Sequence, residues 1–504
     1  MRANLEADRG MNGGSGDRSV TQSLNRSITQ SLTSLAEAIG VAPDPEWGKI
    51  TIRGVTQDSR EVTPGHLFVA IKGFVANGQR FIDDAVSRGA VAVVAEENVL
   101  CSVPFLRVCN GRIALAQLSA AFFSHPTCDL FTVGVTGTNG KTTVCHLVAH
   151  LLGDHDSVIV GTVSNEARKL HAVTTPESPI IQQIASDAIS SGKKNFILEA
   201  SSAGLSLHRV DGVDFDVAVF TNLTHDHYDF HSDRAGYLRA KLLLFRGLKP
   251  AARAIINADD PVAAQVIAAA KGKVVTYAIA KPASYRATSI EYELESTRFT
   301  IEHGVNRVSA HISLPGEHNV YNALAAAAVA AEAGMPLPEI ARKLATASSV
   351  SGRYQFFNTV SGTSIVVDFA HSPDSLEKML LSLRPYYERV ICVFGCGGES
   401  DRDKRPIMGR ISGELADITI LTGDNPKSED PREIIDAIAA GVPSSSKCER
   451  IVDREQAIRR AIELAHANDV VLIAGKGHEP YQIVGHEFVP YNDAEYLHKA
   501  GLVI

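Results

Sequence analysis

Residues Gly134-Val135-Thr136-Gly137-Thr138-Asn139-Gly140-Lys141-Thr142-Thr143 form a glycine-rich turn between two segments of different character. The preceding Leu130-Phe131-Thr132-Val133 is apolar and β-prone, and the following Val144-Cys145-His146-Leu147-Val148 resembles a helix start. Glycines let backbone N–H groups converge on oxyanions, and a helix N-terminus adds partial positive charge. The stretch therefore predicts a phosphate-binding loop between a strand and a helix.

Two side chains of this loop are suited to phosphate chemistry. Lys141 can reach the terminal phosphates of a nucleotide, and the Thr142 hydroxyl can ligate Mg²⁺. The match to the usual Walker pattern is partial, because five residues separate Gly134 from Gly140 and only Gly137-x-x-Gly140-Lys141-Thr142 is in register. A chance glycine-rich turn is the alternative that this spacing leaves open.

The composition indicates a multidomain protein of a reducing compartment. The chain has 504 residues, which is enough for about three domains of roughly 150 residues each. Its net charge of -8 argues against a general nucleic-acid binder. The seven cysteines are scattered and odd in number, no apolar run is long enough to span a membrane, and the N-terminus lacks the apolar core of a signal peptide. We therefore expect a cytoplasmic protein without membrane insertion or nucleic-acid partners.

Strand-like and helix-like segments alternate along most of the chain, which predicts βαβ units and mostly parallel sheets. The fold class expected is α/β, with an N-terminal α/β domain, a central domain built on a P-loop parallel sheet, and a C-terminal Rossmann-like domain. The predicted boundaries are 1–32 for a disordered tail and 33–126, 127–348 and 349–504 for the domains. Ligands of such sheets bind beyond the carboxyl ends of the strands.

Acidic and histidine side chains follow two of the predicted central strands. Glu199 comes after Phe196-Ile197-Leu198, and Asp226, His227, Asp229 and His231 come after the strand 217–220. Mg²⁺ prefers oxygen ligands and shares itself with substrate phosphates, so these residues beside a phosphate loop predict a magnesium site. Lys241 lies among apolar neighbours at helical spacing, and its spacing alone favours a surface lysine with a buried stem.

Two polar segments follow strands in the C-terminal third, Asp424-Asn425-Pro426-Lys427 and Gly475-Lys476-Gly477-His478-Glu479. They place charged groups and free backbone amides where a zwitterion could be held. Asn-Pro and Gly-x-Gly are also turn signals, so a pair of ordinary turns is the alternative.

These pieces, in this order, resemble the Mur ligases, from about residue 50 to the C-terminus. Thr56-Gln57-Asp58-Ser59-Arg60 resembles the UDP-binding module of that family, and the resemblance implies that Ser59 contacts the uridine diphosphate. The phosphate loop matches the family's Gly-Thr-Asn-Gly-Lys-Thr, which accounts for its partial fit to the commoner Walker spacing.

The resemblance implies roles for further residues. The ATP-binding set would be Gly137, Thr138, Asn139, Gly140, Lys141, Thr142, Thr143, Asn319, Arg353 and Asp368. The muramoyl-dipeptide would be held by Thr174, Thr175, Ser201 and Arg209. Lys141, Glu199, His227 and Lys241 would be catalytic. Mg²⁺ would be ligated by Thr142, Glu199, His227 and Lys241, the last as its carbamate (N6-carboxylysine), because a carbamate is an oxygen anion and an ammonium is not. The chain departs from the family pattern at Leu207 and Gln355.

The resemblance also implies which amino acid is added. Residues matching a diaminopimelate site are Arg402, Asp424, Asn425, Pro426, Lys427, Gly475 and Glu479. Lys427 replaces a family arginine, and the loop around Arg402 carries Glu399 and Ser400 as extra residues, so its register differs. A cation at Lys427 favours a distal carboxylate over the ammonium of L-lysine, although L-lysine or another diamino acid stays open.

The activity implied is ATP-dependent addition of meso-diaminopimelate to UDP-N-acetylmuramoyl-L-Ala-D-Glu through an acyl phosphate, in peptidoglycan synthesis. The partners implied are small-molecule substrates, and a monomer is expected. A folylpolyglutamate synthase, a P-loop kinase and a non-catalytic scaffold that retains the fold are the alternatives. The UDP-type module argues against the first alternative, and the complete set of Lys141, Thr142, Glu199, His227 and Lys241 argues against the last.

Overall fold

The computed structural model describes residues 28–73, 76–170, 173–226 and 228–504. The predicted tail of residues 1–32 therefore lies largely outside the described residues. Gln30–Ser31 pairs with Thr51–Ile52, and Leu32 is fully buried, so packed structure begins before residue 33. Within the described ranges, no helix has both the length and the apolarity that crossing a bilayer requires.

Strands of the N-terminal part lie between residues 30 and 107. Their bounds are β1 (Gln30–Ser31), β2 (Thr51–Ile52), β3 (Gly54–Thr56), β4 (His66–Ala70), β5 (Ala92–Ala95) and β6 (Phe105–Arg107). Strands β3 to β6 form a parallel sheet in sequence order, and one face of it packs on Leu32–Ala38 and Gly111–Phe122. This unit carries Ser59 in a short 3₁₀ turn, Ser59–Glu61.

The central strands form one large sheet. They are β7 (Phe131–Thr136), β8 (Ser157–Val160), β9 (Asn195–Glu199), β10 (Val217–Phe220), β11 (Arg253–Asn257), β12 (Lys273–Ala278), β13 (Tyr285–Tyr292), β14 (Thr297–His303) and β15 (Asn306–Ile312). Their order is β15-β14-β13-β12-β11-β10-β7-β9-β8, and the pairs from β8 to β13 are parallel. Strand β7 thus lies between β9 and β10, and the segments that follow these three strands meet at one edge.

The far side of the central sheet differs from the βαβ alternation expected from the sequence. Strands β13, β14 and β15 are antiparallel neighbours with short connections. Between His303 and Asn306 the chain turns in two residues, and Gly304 has a φ of 58° there, a conformation typical of tight hairpin turns. The alternation of buried and exposed residues along Thr297–His303 is the period-two signal of such a strand.

The C-terminal strands form a second α/β sheet. They are β16 (Gln355–Asn358), β17 (Ser364–Asp368), β18 (Val390–Phe394), β19 (Ile418–Leu421), β20 (Lys447–Arg450) and β21 (Val470–Ala474), followed by the hairpin β22 (Tyr481–Val484) and β23 (Glu487–Pro490). The sheet order is β16-β17-β21-β18-β19-β20, with β16 antiparallel and the other pairs parallel. Asp368 is the last residue of β17, and Asp424 and Gly475 follow β19 and β21 at the same edge of the sheet.

Helices cover both faces of the central and C-terminal sheets, which buries apolar clusters on each side. The α-helices are Leu32–Ala38, Ile82–Ser87, Gly111–Phe122, Lys141–Leu152, Thr162–Ala167, Ser178–Ser190, Ser202–Ser206, Tyr228–His231, Arg234–Arg246, Ala263–Ala269, Glu317–Glu332, Leu337–Leu344, Pro373–Leu383, Lys404–Leu415, Pro431–Ala439, Arg454–Leu464 and Asp493–Lys499. Strands buried on both faces read as continuous apolar runs, as Val390–Phe394 and Val470–Ala474 do. The α/β class is confirmed, while the predicted domain boundaries stay predictions.

Candidate active site

The phosphate loop joins strand β7 to the helix Lys141–Leu152 as the sequence predicts. Gly137 and Gly140 both have positive φ, 153° and 88°. A Cβ atom would lie 1.8 Å from Thr221 Oγ1 at Gly137 and 2.4 Å from Asn322 Oδ1 at Gly140. Neither position can hold a side chain without displacing its neighbours, so glycine keeps the loop backbone close to the adjacent segments.

Lysine side chains contact this loop from two directions. Lys141 Nζ donates to Gly137 O at 3.0 Å and to Thr138 O at 2.8 Å. Lys241 Nζ donates to the same Gly137 O at 2.8 Å and lies 4.1 Å from the centre of the Tyr237 ring. Lys241 is 1% exposed, which contradicts the surface lysine that its spacing alone favoured. Helical spacing cannot distinguish a lysine that reaches solvent from one that a neighbouring loop covers.

Glu199 lies at the end of strand β9, beside the phosphate loop. Thr142 Oγ1 donates to Glu199 Oε2 at 3.1 Å, while the Thr162 backbone N–H donates to Glu199 Oε1 at 3.0 Å. The side chain is 1% exposed. Burial raises the pKa of Glu199, and the nearby Lys141 and Arg353 cations oppose that rise. A hydroxyl and a carboxylate are oxygen donors of the kind that Mg²⁺ prefers, so these two residues fit a magnesium site.

Arg353, from the C-terminal part of the chain, reaches the same place. Its Nη2 donates to Thr142 Oγ1 at 3.3 Å, and its Cζ lies 4.6 Å from the centre of the Phe369 ring. Asp368 is buried beside it, where the Tyr354 backbone N–H donates to Asp368 Oδ2 at 2.8 Å. Burial raises the pKa of Asp368, and Arg353 opposes the rise. The central and C-terminal sheets therefore both supply charged groups to the phosphate loop.

A cavity of about 900 Å³ opens between these two sheets. Asn139, Asn319, Arg353, Asp368 and Lys378 are among the residues that line it. Asn319 is buried, and its side chain donates to Pro315 O at 2.8 Å and accepts from Asn322 at 3.1 Å. A cavity of this size, with one end at a phosphate loop, can hold a nucleotide.

The residues expected to hold the muramoyl-dipeptide cluster around the end of β9. Thr175 Oγ1 donates to Glu199 O at 2.7 Å and lies 2.9 Å from Ser201 Oγ. Arg209 Nη1 donates to Thr175 O at 2.9 Å. Thr174 Oγ1 lies 3.2 Å from Thr162 Oγ1, a contact that connects this group to the surroundings of Glu199.

The two polar segments of the C-terminal third meet as well. Lys476 is fully buried, and its Nζ donates to Asn425 Oδ1 at 2.9 Å and to Glu479 Oε2 at 2.8 Å. Asn425 Nδ2 donates to the same Glu479 oxygen at 2.8 Å, and Asp424 Oδ1 lies 3.8 Å from Lys476 Nζ. Gly475 has a φ of 110°, and a Cβ there would lie 2.6 Å from Asp424 Oδ2. The Lys476 ammonium thus faces the carboxylates of Asp424 and Glu479, so the net charge of the cluster is negative.

Lys427 follows Pro426 on the same loop, in a left-handed conformation with a φ of 52°. Its backbone N–H donates to Ile483 O and its carbonyl accepts from the Gly485 N–H, both at 2.9 Å, so strand β22 fixes the loop. Among the described residues no ion pair involves the Lys427 ammonium. Its side chain is therefore available to a ligand.

Arg402 lies outside this cluster of side chains. Its guanidinium is 70% exposed and pairs with Glu429 Oε2 at 3.2 Å, and the buried Arg405 pairs with the same oxygen at 3.0 Å. Glu429 therefore holds both arginines. Sequence reasoning missed Glu429, which carries no signal beyond a position shortly after Lys427.

Two other residues expected in the site are Ser59 and His227. Ser59 is buried in the N-terminal unit, in the short turn Ser59–Glu61. His227 lies outside the described residues. Thr162 is a further site residue that sequence reasoning missed, and its position just after strand β8 could have revealed it.

Contacts between the central and C-terminal parts surround the site. Asn139 Nδ2 donates to Asp374 Oδ2 at 2.8 Å, and His225 Nε2 lies 3.0 Å from Asp401 Oδ2. Lys404 Nζ lies 3.8 Å from Asp226 Oδ1. A phosphate loop contacted by an arginine from a second α/β unit, with a nucleotide-sized cavity and a polar pocket nearby, suits an enzyme that binds a nucleotide together with a second ligand.

Comparison with known proteins gives the family. Residues 51–123 match the catalytic domain of the Mur ligase family, 135–330 the Mur ligase middle domain, and 352–477 the Mur ligase glutamate ligase domain. The chain belongs to the Mur ligase family. It is therefore an ATP-dependent, amide-forming ligase of peptidoglycan synthesis.

Two curated relatives and one solved structure carry the same name. The UDP-N-acetylmuramoyl-L-alanyl-D-glutamate--2,6-diaminopimelate ligase of Caldanaerobacter subterraneus is 40% identical over 88% of this chain and 94% of its own length. That of Geobacillus thermodenitrificans is 41% identical over the same shares. A solved structure of an enzyme with this name has a TM-score of 0.66 and 31% identity, covering 94% of this chain and 99% of that one.

Proposed function

We propose that this enzyme adds meso-diaminopimelate to the D-glutamyl γ-carboxylate of UDP-N-acetylmuramoyl-L-Ala-D-Glu. The observation that carries the proposal is the junction of Thr142, Glu199 and Arg353 beside a separate pocket of mixed charge. The group of Thr142, Glu199 and Arg353 suits the phosphates of ATP and the carboxylate that ATP activates. The pocket of mixed charge suits an amino acid with charged groups at both ends.

The first step is phosphoryl transfer from ATP to the γ-carboxylate, which yields an acyl phosphate and ADP. Lys141 and Arg353 lie where they neutralise phosphate charge, and Arg353 presents a fork of donors suited to phosphate oxygens. The backbone of Gly137 to Thr143 cradles the phosphates, while Asn319 and Asp368 lie in the cavity for the nucleoside. Mg²⁺ would be held by Thr142, Glu199, His227 and carbamylated Lys241, and it would offset the charge on the transferring phosphoryl group.

The surroundings of Lys241 support a carbamate. Burial, together with the nearby Lys141 cation, lowers the pKa of Lys241 well below its ordinary value. A neutral amine has the lone pair that attacks CO₂, and an ammonium does not. The carbamate anion would also relieve the cost of burying a positive charge next to Lys141.

The UDP-linked dipeptide would extend from the site toward the N-terminal unit. Thr174, Thr175, Ser201 and Arg209 surround the end of β9, which suits them to hold the peptide near the γ-phosphate. Arg209 also pairs with Glu177 at 2.6 Å, which fixes its guanidinium. Ser59 would contact the uridine diphosphate.

Diaminopimelate fits the charges of the second pocket. Asp424 and Glu479 outweigh Lys476, so the pocket attracts an ammonium, and the available cation of Lys427 attracts the distal carboxylate. L-Lysine lacks that carboxylate and would bring its ammonium toward Lys427. Arg402 would join the carboxylate site by exchanging its exposed pair with Glu429, since exposed pairs contribute little stability.

We further propose that the enzyme acts as a monomer in the cytoplasm. Both sheets that form the site belong to one chain, and the free cysteines suit a reducing compartment.

The test combines the protein with Mg²⁺, ATP and UDP-N-acetylmuramoyl-L-Ala-D-Glu, with meso-diaminopimelate or L-lysine in separate reactions. Phosphate release and product mass are followed. We expect product with diaminopimelate and at least a tenfold lower rate with L-lysine, about 1.4 kcal/mol. Product with L-lysine alone would overturn the specificity, and phosphate release without either product would overturn the ligation.

A further inference from the structure

His478 is a buried histidine whose ring has unused hydrogen-bonding capacity. Its side chain is 9% exposed, and within the described part of the chain neither Nδ1 nor Nε2 has a hydrogen-bond partner. A buried polar group without a partner costs about 1–3 kcal/mol, so native proteins rarely keep one without a functional reason. A neutral imidazole offers one donor and one acceptor, and both are available here.

On one side, His478 is fixed next to the phosphate-binding arginine. The His478 and Phe369 rings are 5.0 Å apart, and Arg353 packs on the same Phe369 ring at 4.6 Å. Gly352 has a φ of 66°, and a Cβ there would lie 2.0 Å from the His478 backbone nitrogen. The turn that carries Arg353 therefore touches the turn that carries His478.

On the other side, His478 adjoins the pocket proposed for the amino acid. It lies in sequence between Lys476 and Glu479, which are joined by their 2.8 Å contact. Asn492 Nδ2 donates to Glu479 O at 3.1 Å and holds this turn in place. His478 thus lies where the amino-acid pocket meets the phosphoryl site, and the attacking amine must cross that boundary.

We propose that His478 is a catalytic residue that accepts a proton from the attacking amine, an assignment that rests on the proposed function. The ammonium nitrogen gives one proton to a ring nitrogen of His478, and its lone pair forms the C–N bond at the γ-carbonyl carbon. The tetrahedral intermediate collapses as the C–O bond to phosphate breaks with its electron pair on the leaving phosphate. The second nitrogen proton passes to that phosphate, and His478 returns its proton to water when the product leaves.

The surroundings keep the ring neutral and unprotonated before the amine attacks. Burial, with the cations Arg353 and Lys476 and the nearby His371 and His146, lowers the pKa of His478 to about 3, so the ring is neutral at neutral pH. The acyl phosphate brings negative charge to Arg353 and offsets part of the repulsion that opposes protonation. The carboxylates of Asp424 and Glu479 contact Lys476, whereas neither ring nitrogen of His478 has a hydrogen-bond partner among the described residues.

The test separates activation of the carboxylate from attack by the amine. Hydroxylamine is neutral at neutral pH and captures acyl phosphates as hydroxamates, so it needs no proton acceptor before it attacks. The variants are His478→Phe, which keeps a ring against Phe369, and His478→Gln, which keeps hydrogen bonding without basicity. His498→Phe is the matched control, since His498 packs on Phe357 in the C-terminal helix at 5.4 Å.

We expect both His478 variants to lose on the order of 100-fold in kcat for diaminopimelate ligation, while hydroxamate formation stays within about threefold of wild type. His498→Phe should leave both reactions within about threefold. Unchanged ligation, or an equal fall in both reactions, would overturn the role of His478. The proposed function is tested separately by the wild-type enzyme, which must first form the diaminopimelate product.

Discussion

Thr142 Oγ1 lies 3.1 Å from Glu199 Oε2 and 3.3 Å from Arg353 Nη2. Its hydroxyl donates to the carboxylate and accepts from the guanidinium, so one side chain of the phosphate loop joins an anion of the central sheet to a cation of the C-terminal one. The Thr142 hydroxyl therefore fixes the positions of the Glu199 carboxylate and the Arg353 guanidinium relative to the phosphate loop.

Thr142→Ala should lower kcat for phosphate release on the order of 100-fold, comparable to losing one preorganised donor in a transition-state site. Thr142→Ser keeps the hydroxyl and should stay within about tenfold of wild type. The measurement is steady-state kinetics for both variants, with thermal unfolding as a check on folding. Equal activities of the alanine and serine variants would show that the hydroxyl is not used.

Lys241 gives a prediction about CO₂. If its carbamate is required, wild-type activity should fall in buffer depleted of CO₂ and return when bicarbonate is added. Lys241→Arg should be inactive under both conditions because its guanidinium remains a cation at any working pH. Intact-peptide mass spectrometry under neutral, non-denaturing handling should show added CO₂ on Lys241. Full activity without CO₂ would contradict the carbamate.

Much of the architecture could be read from the sequence because strands buried on both faces are continuous apolar runs. The apolar runs before Glu199 and at 217–220 predict strands, and the structure has strands at Asn195–Glu199 and Val217–Phe220. The antiparallel hairpin at Gly304 was missed, since its pairing depends on a short turn and not on apolar content.

The site was predicted only in part, for a related reason. The phosphate loop has a local signature, because the residues that bind phosphate are adjacent in sequence. Lys241 and Glu429 have no such local signature, because the residues that contact them are distant in sequence. The burial of Lys241 depends on Gly137 O, more than a hundred residues earlier, and Glu429 matters because Arg402 and Arg405 converge on it.

Lys427 gives a prediction about substrate affinity. Lys427→Arg should lower KM for meso-diaminopimelate by a few-fold, because a guanidinium binds a carboxylate through two hydrogen bonds where an ammonium is a point charge. Lys427→Ala should raise KM by about tenfold, corresponding to roughly 1.4 kcal/mol, with a smaller effect on kcat. KM for the UDP-linked dipeptide serves as the internal control and should not change. A Lys427→Ala enzyme with unaltered KM for diaminopimelate would remove Lys427 from the site.

His318, at the wall of the nucleotide cavity, gives a prediction about stability and pH. Burial, with the nearby Lys378 cation, lowers its pKa to about 4 from an ordinary 6.5, and Asp374 opposes the shift. Between these two values the unfolded chain binds more protons at this residue than the folded chain does, so His318 reduces stability as the pH falls from about 6.5 to about 4. Its contribution is constant above that window.

His318→Gln removes this titration, so the variant should lose less stability than wild type between pH 6.5 and about 4, while the difference between them stays constant above pH 6.5. Urea unfolding midpoints at a series of pH values measure that difference. His146 and His478 also have lowered pKa values and remain in both proteins, so only the difference between the two proteins reports on His318. Parallel curves over the whole acid range would show that His318 titrates alike in the folded and unfolded chains.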